Sequence, residues 1–317
     1  MTNINTESWQ EQAQRVAHGI RKRVLDFTIR NNGGYLSQAC SSAEILATLY
    51  VKIMKLGRSE APLIPPPFPG TPGRTNRNYF TGAAYNGPKL PEFDRFFISP
   101  VHCALALYAL LVELGRMAPE GLDMFNKDGS TVEMIGAEHS PGHEIMAGSL
   151  GQALSQVVGI ALARRLKGHT GRNWVFMSDG EFQIGQTWEA VETLSFYKLD
   201  TVGVYIDANG QSADGEIQKV MNVEPLQERL KAFGARVYEV EGHDVEALLP
   251  QPRKRRMDVR YSSLLGQIPV KVFLYLKKGL QNFITSVFEM RVSVSVTKII
   301  SISFRKDKYA NRIKSSC

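Results

Sequence analysis

Two short apolar runs in the sequence end in side chains that could hold a metal ion. Trp174 to Met177 runs into Ser178-Asp179-Gly180-Glu181, and Val202 to Ile206 runs into Asp207-Ala208-Asn209-Gly210-Gln211. Asn209 follows Asp179 by 30 residues, about the length of a helical crossover between neighbouring parallel strands, so both side chains can reach one point above a sheet edge. A carboxylate and an amide carbonyl, completed by water and a phosphorylated ligand, make a hard-oxygen site suited to Mg²⁺. Gly180 lets the backbone approach a phosphate closely, and the helix that follows offers its positive N-terminus. Asp-Gly and Asn-Gly are also ordinary turn dipeptides. The pair at this spacing, with a strand before each member, is what points to a ligand site.

The elements that must position these residues follow from periodicity. Trp9, Ala13, Val16, Ile20, Val24 and Phe27 recur at three and four and predict one face of an amphipathic helix. Ser41 to Glu44 has the spacing of a capping box and predicts the start of a second helix through Ile45, Leu46, Leu49, Tyr50 and Ile53. Residues 61 to 91 carry eight prolines and predict a long irregular loop. Helices are expected near His102 to Leu114, after Gly148-Ser149 as far as Lys167-Gly168, and from about Gln186 to Phe196. Pro225 and Gly234 bracket another, and Val237 to Val240 reads as a strand. Alternating strands and helices predict an α/β domain of three layers, a central, mainly parallel sheet flanked by helices. Ligands of such sheets collect at the carboxyl ends of the strands.

The chain has 317 residues, 43 % hydrophobic and 22 % charged, which excludes wholesale disorder and fibrous classes. No apolar stretch is long enough for a spanning helix and the polar start has no signal-peptide run, so the expectation is a soluble, cytoplasmic protein. Three widely spaced cysteines fit a reducing compartment. The net charge of +7 is unevenly placed: residues 251–317 carry 15 Lys and Arg against three acids, whereas residues 1–250 carry 23 against 28. The composition therefore divides the chain near Pro250, into a mildly acidic body (1–250) and an atypical basic tail (251–317).

The motifs together resemble the transketolase family of thiamine-diphosphate enzymes. Ser178-Asp-Gly180 with Asn209 is similar to its Gly-Asp-Gly…Asn signature, Ser99 to Tyr108 to its Gly-His-Ala segment, and Ala147 to Ser155 to its Gly-Ser-Leu-Gly-Gln run. Gly185 to Ala190 and Gly242-His-Asp244 resemble later landmarks, and the likeness spans roughly Arg15 to Leu249. The length is similar to the N-terminal, diphosphate-binding subunit of the form split into two chains. The resemblance implies thiamine diphosphate and Mg²⁺ as cofactors, with Asp179, Asn209 and the Gln211 carbonyl as metal ligands. It puts Gly180 and Glu181 against the diphosphate and Gly148, Ser149 and Leu150 at the aminopyrimidine end, and it makes His102 a pocket histidine. The implied reaction moves a two-carbon ketol unit from a ketose phosphate to an aldose, in an oligomer with a C-terminal subunit that carries the pyrimidine-binding domain. Neither nucleic acid nor membrane is an expected partner.

Departures from the family pattern sharpen the expectations. Ser178 replaces a glycine, which is tolerable at negative φ. Ile184 stands where the family usually has Glu, and Tyr35 where it has a catalytic-pocket His; a phenol donates a hydrogen bond but is no base near neutral pH. His139 and His143 both lie near the family's Gly-His-Pro position and either can substitute, with His139 preferred as the catalytic residue; the alternative for His143 is a surface-loop histidine without a role. Beyond Leu249 there is no histidine to match the family's later phosphate-binding loop. Two readings of the tail stand: Pro269 to Leu276 supplies a strand, or the whole tail is unrelated to the fold, as a shifted reading frame would produce. A thiamine-dependent 2-oxoacid dehydrogenase subunit shares the metal motif, although Gly148 to Gln152 and the His102 segment argue against it. Outside enzymology, the alternative is a non-catalytic binding protein acting through the tail.

Overall fold

The computed structural model describes residues 7–31, 35–71, 73–77 and 79–250, with the backbone of residues 271–276. Helix α1 (Trp9–Asn31) buries Ala13, Val16, Ile20, Val24 and Phe27, the face that its spacing predicted, and adds Ala17 and Arg21. Helix α2 (Leu36–Thr48) continues into a wider turn over Leu49–Ile53. Its start corrects the expected capping box. Ser41 and Glu44 lie in mid-helix, where the Ser42 hydroxyl donates to the Gln38 carbonyl at 2.6 Å and Glu44 turns inward to the Arg21 guanidinium. The apolar spacing extends upstream through Leu36, Ala39 and Cys40, so the helix nucleates a turn earlier than the Ser-x-x-Glu pattern suggests.

Among its described residues the proline-rich stretch is irregular apart from one 3₁₀ turn, Gly82–Asn86. After it comes strand β1 (Arg95–Ile98), which the periodicity did not reveal, and helix α3 (Ala104–Glu113), buried on every side through Val112. The order continues with α4 (Ala153–Leu166), β2 (Asn173–Ser178), α5 (Gly185–Phe196) and β3 (Val202–Ala208). A two-residue hairpin follows, β4 (Gln211–Ser212) and β5 (Gly215–Glu216), then the single turn α6 (Ile217–Val220), α7 (Leu226–Ala232), β6 (Arg236–Glu241) and β7 (Lys271–Leu276).

The five long strands form one parallel sheet in the order β1-β2-β3-β7-β6. Successive side chains of a strand point to opposite faces, and here that alternation builds two cores. Phe96, Ile98, Trp174, Phe176 and Tyr205 pack with α1, α2 and α3. Phe97, Val175, Met177, Val202, Val204 and Ile206 pack with α4, α5 and α7. The result is the expected three-layer arrangement. Burying both faces removes enough apolar surface to hold the layers, at about 25 cal/mol per Å².

Register decides where ligands can gather. Ile98 lies beside Phe176 and Ser178 beside Asp207, so the loops after β1, β2 and β3 leave the sheet along one edge. The compositional division near Pro250 does not coincide with the end of the sheet, because β7 sits between β3 and β6. The rest of the tail, and the readings that depend on it, lie outside the described residues. Among the described residues no helix is long and apolar enough to cross a membrane.

Candidate functional site

Asp179 opens a 3₁₀ turn at the end of β2 and is nearly inaccessible. One carboxylate oxygen accepts the Gly180 N–H at 2.8 Å; the other accepts the Gly210 N–H, also at 2.8 Å, from the turn after β3. Asp179 therefore ties two strand ends together. Burial lifts its carboxyl to about 7, the Gly210 N–H opposing that rise and the charge of Asp207 adding to it. Beside it, Asn209 accepts the Gln211 N–H on Oδ1 at 2.9 Å and points Nδ2 toward the Ser41 hydroxyl of α2, 3.5 Å away. Gln211 is exposed at the start of β4. Asp179 and Asn209 are thus brought to adjoining strand ends through Gly210, with Gln211 shortly after, and each side-chain oxygen keeps a lone pair. A side chain built at Gly180 would meet nothing within 4 Å, so there is open space at this edge. An all-oxygen donor set beside open space fits Mg²⁺ and a phosphate.

Glu181 departs from its expected place against the diphosphate. It is completely buried and its carboxylate faces protein donors. Oε2 accepts the Ser178 N–H at 2.8 Å and the Ser178 hydroxyl at 3.3 Å, and Oε1 accepts the Gly151 N–H at 3.1 Å and the Ser99 hydroxyl. Ser178 and Glu181 form a reciprocal capping box on the turn that begins with Asp179. Ser178 has φ −105°, so a side chain at the family's glycine position is unstrained. Burial raises the Glu181 carboxyl, against the pull of the Ser99, Ser178 and Gly151 hydrogen bonds.

Of the loops that carry the remaining predicted residues, the one before α4 and the one after β1 reach this edge through Gly151 and Ser99, which both donate to Glu181. Gly148 and Ser149 are exposed and Leu150 is half-buried, in the loop before α4. A Cβ on Gly148 would lie 2.9 Å from the Ile135 side chain, and Gly151 has φ +79° with Ile184 packed against it, so neither position accepts a larger residue easily. His102 sits on the 3₁₀ turn Val101–Cys103, exposed, with no hydrogen-bond partner among the described residues. His139 is half-buried, its Nε2 lying 3.1 Å from Glu133 Oε2 and its ring centroid 4.6 Å from that of Phe68. No hydrogen bond joins it to Asp179 or Glu181; its loop meets the site where Ile135 abuts Gly148. His143 is completely buried, against the surface-loop alternative for it. Its ring fills the space left by Gly136, where a Cβ would stand 2.1 Å from Nε2, and burial pushes its pKa down to about 4. Tyr35 packs edge-on against Phe27 and Phe125, with ring centroids 6.2 and 5.4 Å away.

Sequence reasoning gave no site role to Ser99, Gly151 or Ser41, although each touches a predicted residue. The Ser-x-x-Glu spacing at Ser178 was the available signal for the first two, because a capping glutamate at the end of a buried strand must find further donors.

Comparison with solved proteins bears on the fold. Transketolase from Campylobacter jejuni superposes with a TM-score of 0.62 at 21 % identity, covering 83 % of this chain and 37 % of that one. This likeness shows the fold alone, an α/β domain that spans little more than a third of that chain. Residues 77–259 match the family model for the transketolase thiamine diphosphate binding domain. A transketolase family protein of Sinorhizobium fredii, y4mO, is 34 % identical over 261 residues, 78 % of this chain and 81 % of that protein. The 6-deoxy-6-sulfo-D-fructose transketolase subunit SqwG of Clostridium is 30 % identical over 241 residues, 76 % of this chain and 78 % of that subunit. The chain belongs to the transketolase family.

Proposed function

We propose that this chain is the cofactor-binding subunit of a two-chain transketolase, moving a two-carbon ketol unit from a ketose phosphate to an aldose. The observation that carries the proposal is the Asp179 carboxylate bridging the ends of β2 and β3, with Asn209 one residue before its Gly210 partner. In this reading Asp179, Asn209 and the Gln211 carbonyl hold Mg²⁺, and the Gly180 turn lies against the diphosphate. Gly148, Ser149 and Leu150 line the aminopyrimidine end. Thiamine diphosphate, when bound, supplies the electron sink that allows a carbon–carbon bond to break; the protein supplies position and charge. His102, exposed beside the strand ends, is suited to donate a hydrogen bond to a sugar oxygen or phosphate. His139, oriented by Glu133, is suited to hold or move a proton once substrate is present. Kinship to a protein named as a transketolase subunit, which this chain matches over most of its length, supports a partner that contributes the pyrimidine-binding domain.

Calorimetric titration of thiamine diphosphate with and without Mg²⁺ tests the site. The wild-type chain is expected to bind in a Mg²⁺-dependent way, and Asp179→Ala to lose that binding while its thermal melt persists. Unchanged affinity in the variant would overturn the assignment. The purified chain alone is expected to show no ketol transfer in a coupled aldose assay; robust turnover without a second subunit would overturn the partner requirement.

A further inference from the structure

Three segments that the proposed function uses meet on one buried side chain. Ser178 precedes the metal residue Asp179, Gly151 follows the Gly148-Ser149-Leu150 loop, and Ser99 stands three residues before His102. All three donate to the Glu181 carboxylate, which makes four hydrogen bonds and is wholly shielded from solvent. A carboxylate with no exposed surface makes no contact with a phosphorylated ligand, and its charge would repel one. Its four donors come from the loop after β1, the loop before α4 and the last residue of β2. Short loops leaving separate elements have no covalent reason to keep a fixed mutual spacing, and ordering them costs backbone entropy. A charge-assisted bond to each, inside a low-dielectric core, supplies that constraint.

We infer that Glu181 is a positioning residue: it fixes the spacing between the metal turn, the aminopyrimidine loop and the His102 turn without touching the ligand. This rests on the function proposed above. Ser178 takes part in the same device, because its hydroxyl both receives the Glu181 N–H and donates to the Glu181 carboxylate.

The test is titration of thiamine diphosphate at saturating Mg²⁺ into the full chain, wild type and variants, at a temperature where circular dichroism shows each folded. Glu181→Gln turns one acceptor into an NH₂ group facing donors, and its Kd is expected to rise about tenfold or more while its dependence on Mg²⁺ persists. Asp179→Ala, by contrast, is expected to lose the Mg²⁺ dependence itself. Ser99→Ala removes a single bond and is expected to raise Kd a few-fold, with no further effect when added to Glu181→Gln. A role confined to stability would lower the melting temperature and leave Kd in the folded state unchanged. If Glu181→Gln fails to fold, Ser99→Ala and Ser178→Ala decide, each by a raised Kd in a folded chain. A folded Glu181→Gln, or failing that a folded Ser99→Ala and Ser178→Ala, with wild-type Kd overturns the inference. Absence of binding in the wild type would instead overturn the proposed function.

Discussion

Ser41-Ser42-Ala43-Glu44 and Ser178-Asp179-Gly180-Glu181 share one spacing, a serine three residues before a buried glutamate, and their surroundings part them. In α2 the serines bond back to carbonyls of their own helix and Glu44 meets the Arg21 guanidinium and the His243 ring, 3.0 Å away. At the end of β2 the serine caps the turn and its glutamate gathers loops. Glu44 thus sits in a charge pair, Glu181 among neutral donors. Burial pushes the Glu44 carboxyl up, but hydrogen bonds from His243 and Arg21 outweigh it and hold it below its ordinary value, whereas Glu181 stays above. A sequence pattern at a helix or turn start acquires its meaning from what the chain has already folded around it.

The strongest way to break this contrast is Glu44→Ala, which removes the carboxylate from a buried guanidinium. It is expected to cost about 3–5 kcal/mol in urea unfolding and to leave thiamine diphosphate affinity in the folded state alone; an altered Kd without loss of stability would place Glu44 with Glu181. Acid titration next separates Glu44 from the buried His143. His143, held near 4 against an ordinary 6.5, binds its proton more weakly folded than unfolded. Its contribution is complete above pH 6.5 and is lost as pH falls toward 4, roughly 3 kcal/mol in all. Glu44, with a depressed carboxyl, keeps its contribution down to its unfolded value of about 4.5 and loses it only below that. Because the raised Asp179 carboxyl titrates with the opposite sign over the same range, the reading is the stability difference between wild type and His143→Gln, and a difference that stays flat between pH 6.5 and 4.5 would remove His143 from the account. Smaller effects finish the series. Ser178→Ala, the true cap, is expected to lower stability by about 1 kcal/mol. Ser41→Ala, the false one, should change it by no more than about 0.5 kcal/mol. Equal losses from the two serines would erase the contrast.

These two serines also mark what the sequence could and could not convey. The buried face of α1 was legible because residues three and four apart lie on one side of a helix whatever surrounds them, and β2 and β3 because apolar runs ending in Asp or Asn behave alike in most parallel sheets. The Asp179 and Asn209 pair was legible from crossover spacing. Strand β1 was not: only Phe96, Phe97 and Ile98 signal it, and Arg95 is satisfied by Glu144, 49 residues away. Glu44 was misplaced, and the burial of His143 missed, for the same reason. The partner of Glu44 is 23 residues upstream, and His143 is buried because Gly136 has no side chain.

The order of strands in the sheet governs when the site can mature during synthesis. β6 pairs with β7 and with no other described strand, and β3 finds its second neighbour in β7 as well. As the chain leaves the ribosome, β1, β2 and β3 can assemble in order, but the far edge of β3 stays bare until residues 271–276 emerge and slide between it and β6. Such an open edge attracts other strands. Asn209 follows that edge directly, so its loop hangs on a half-supported strand until β7 arrives.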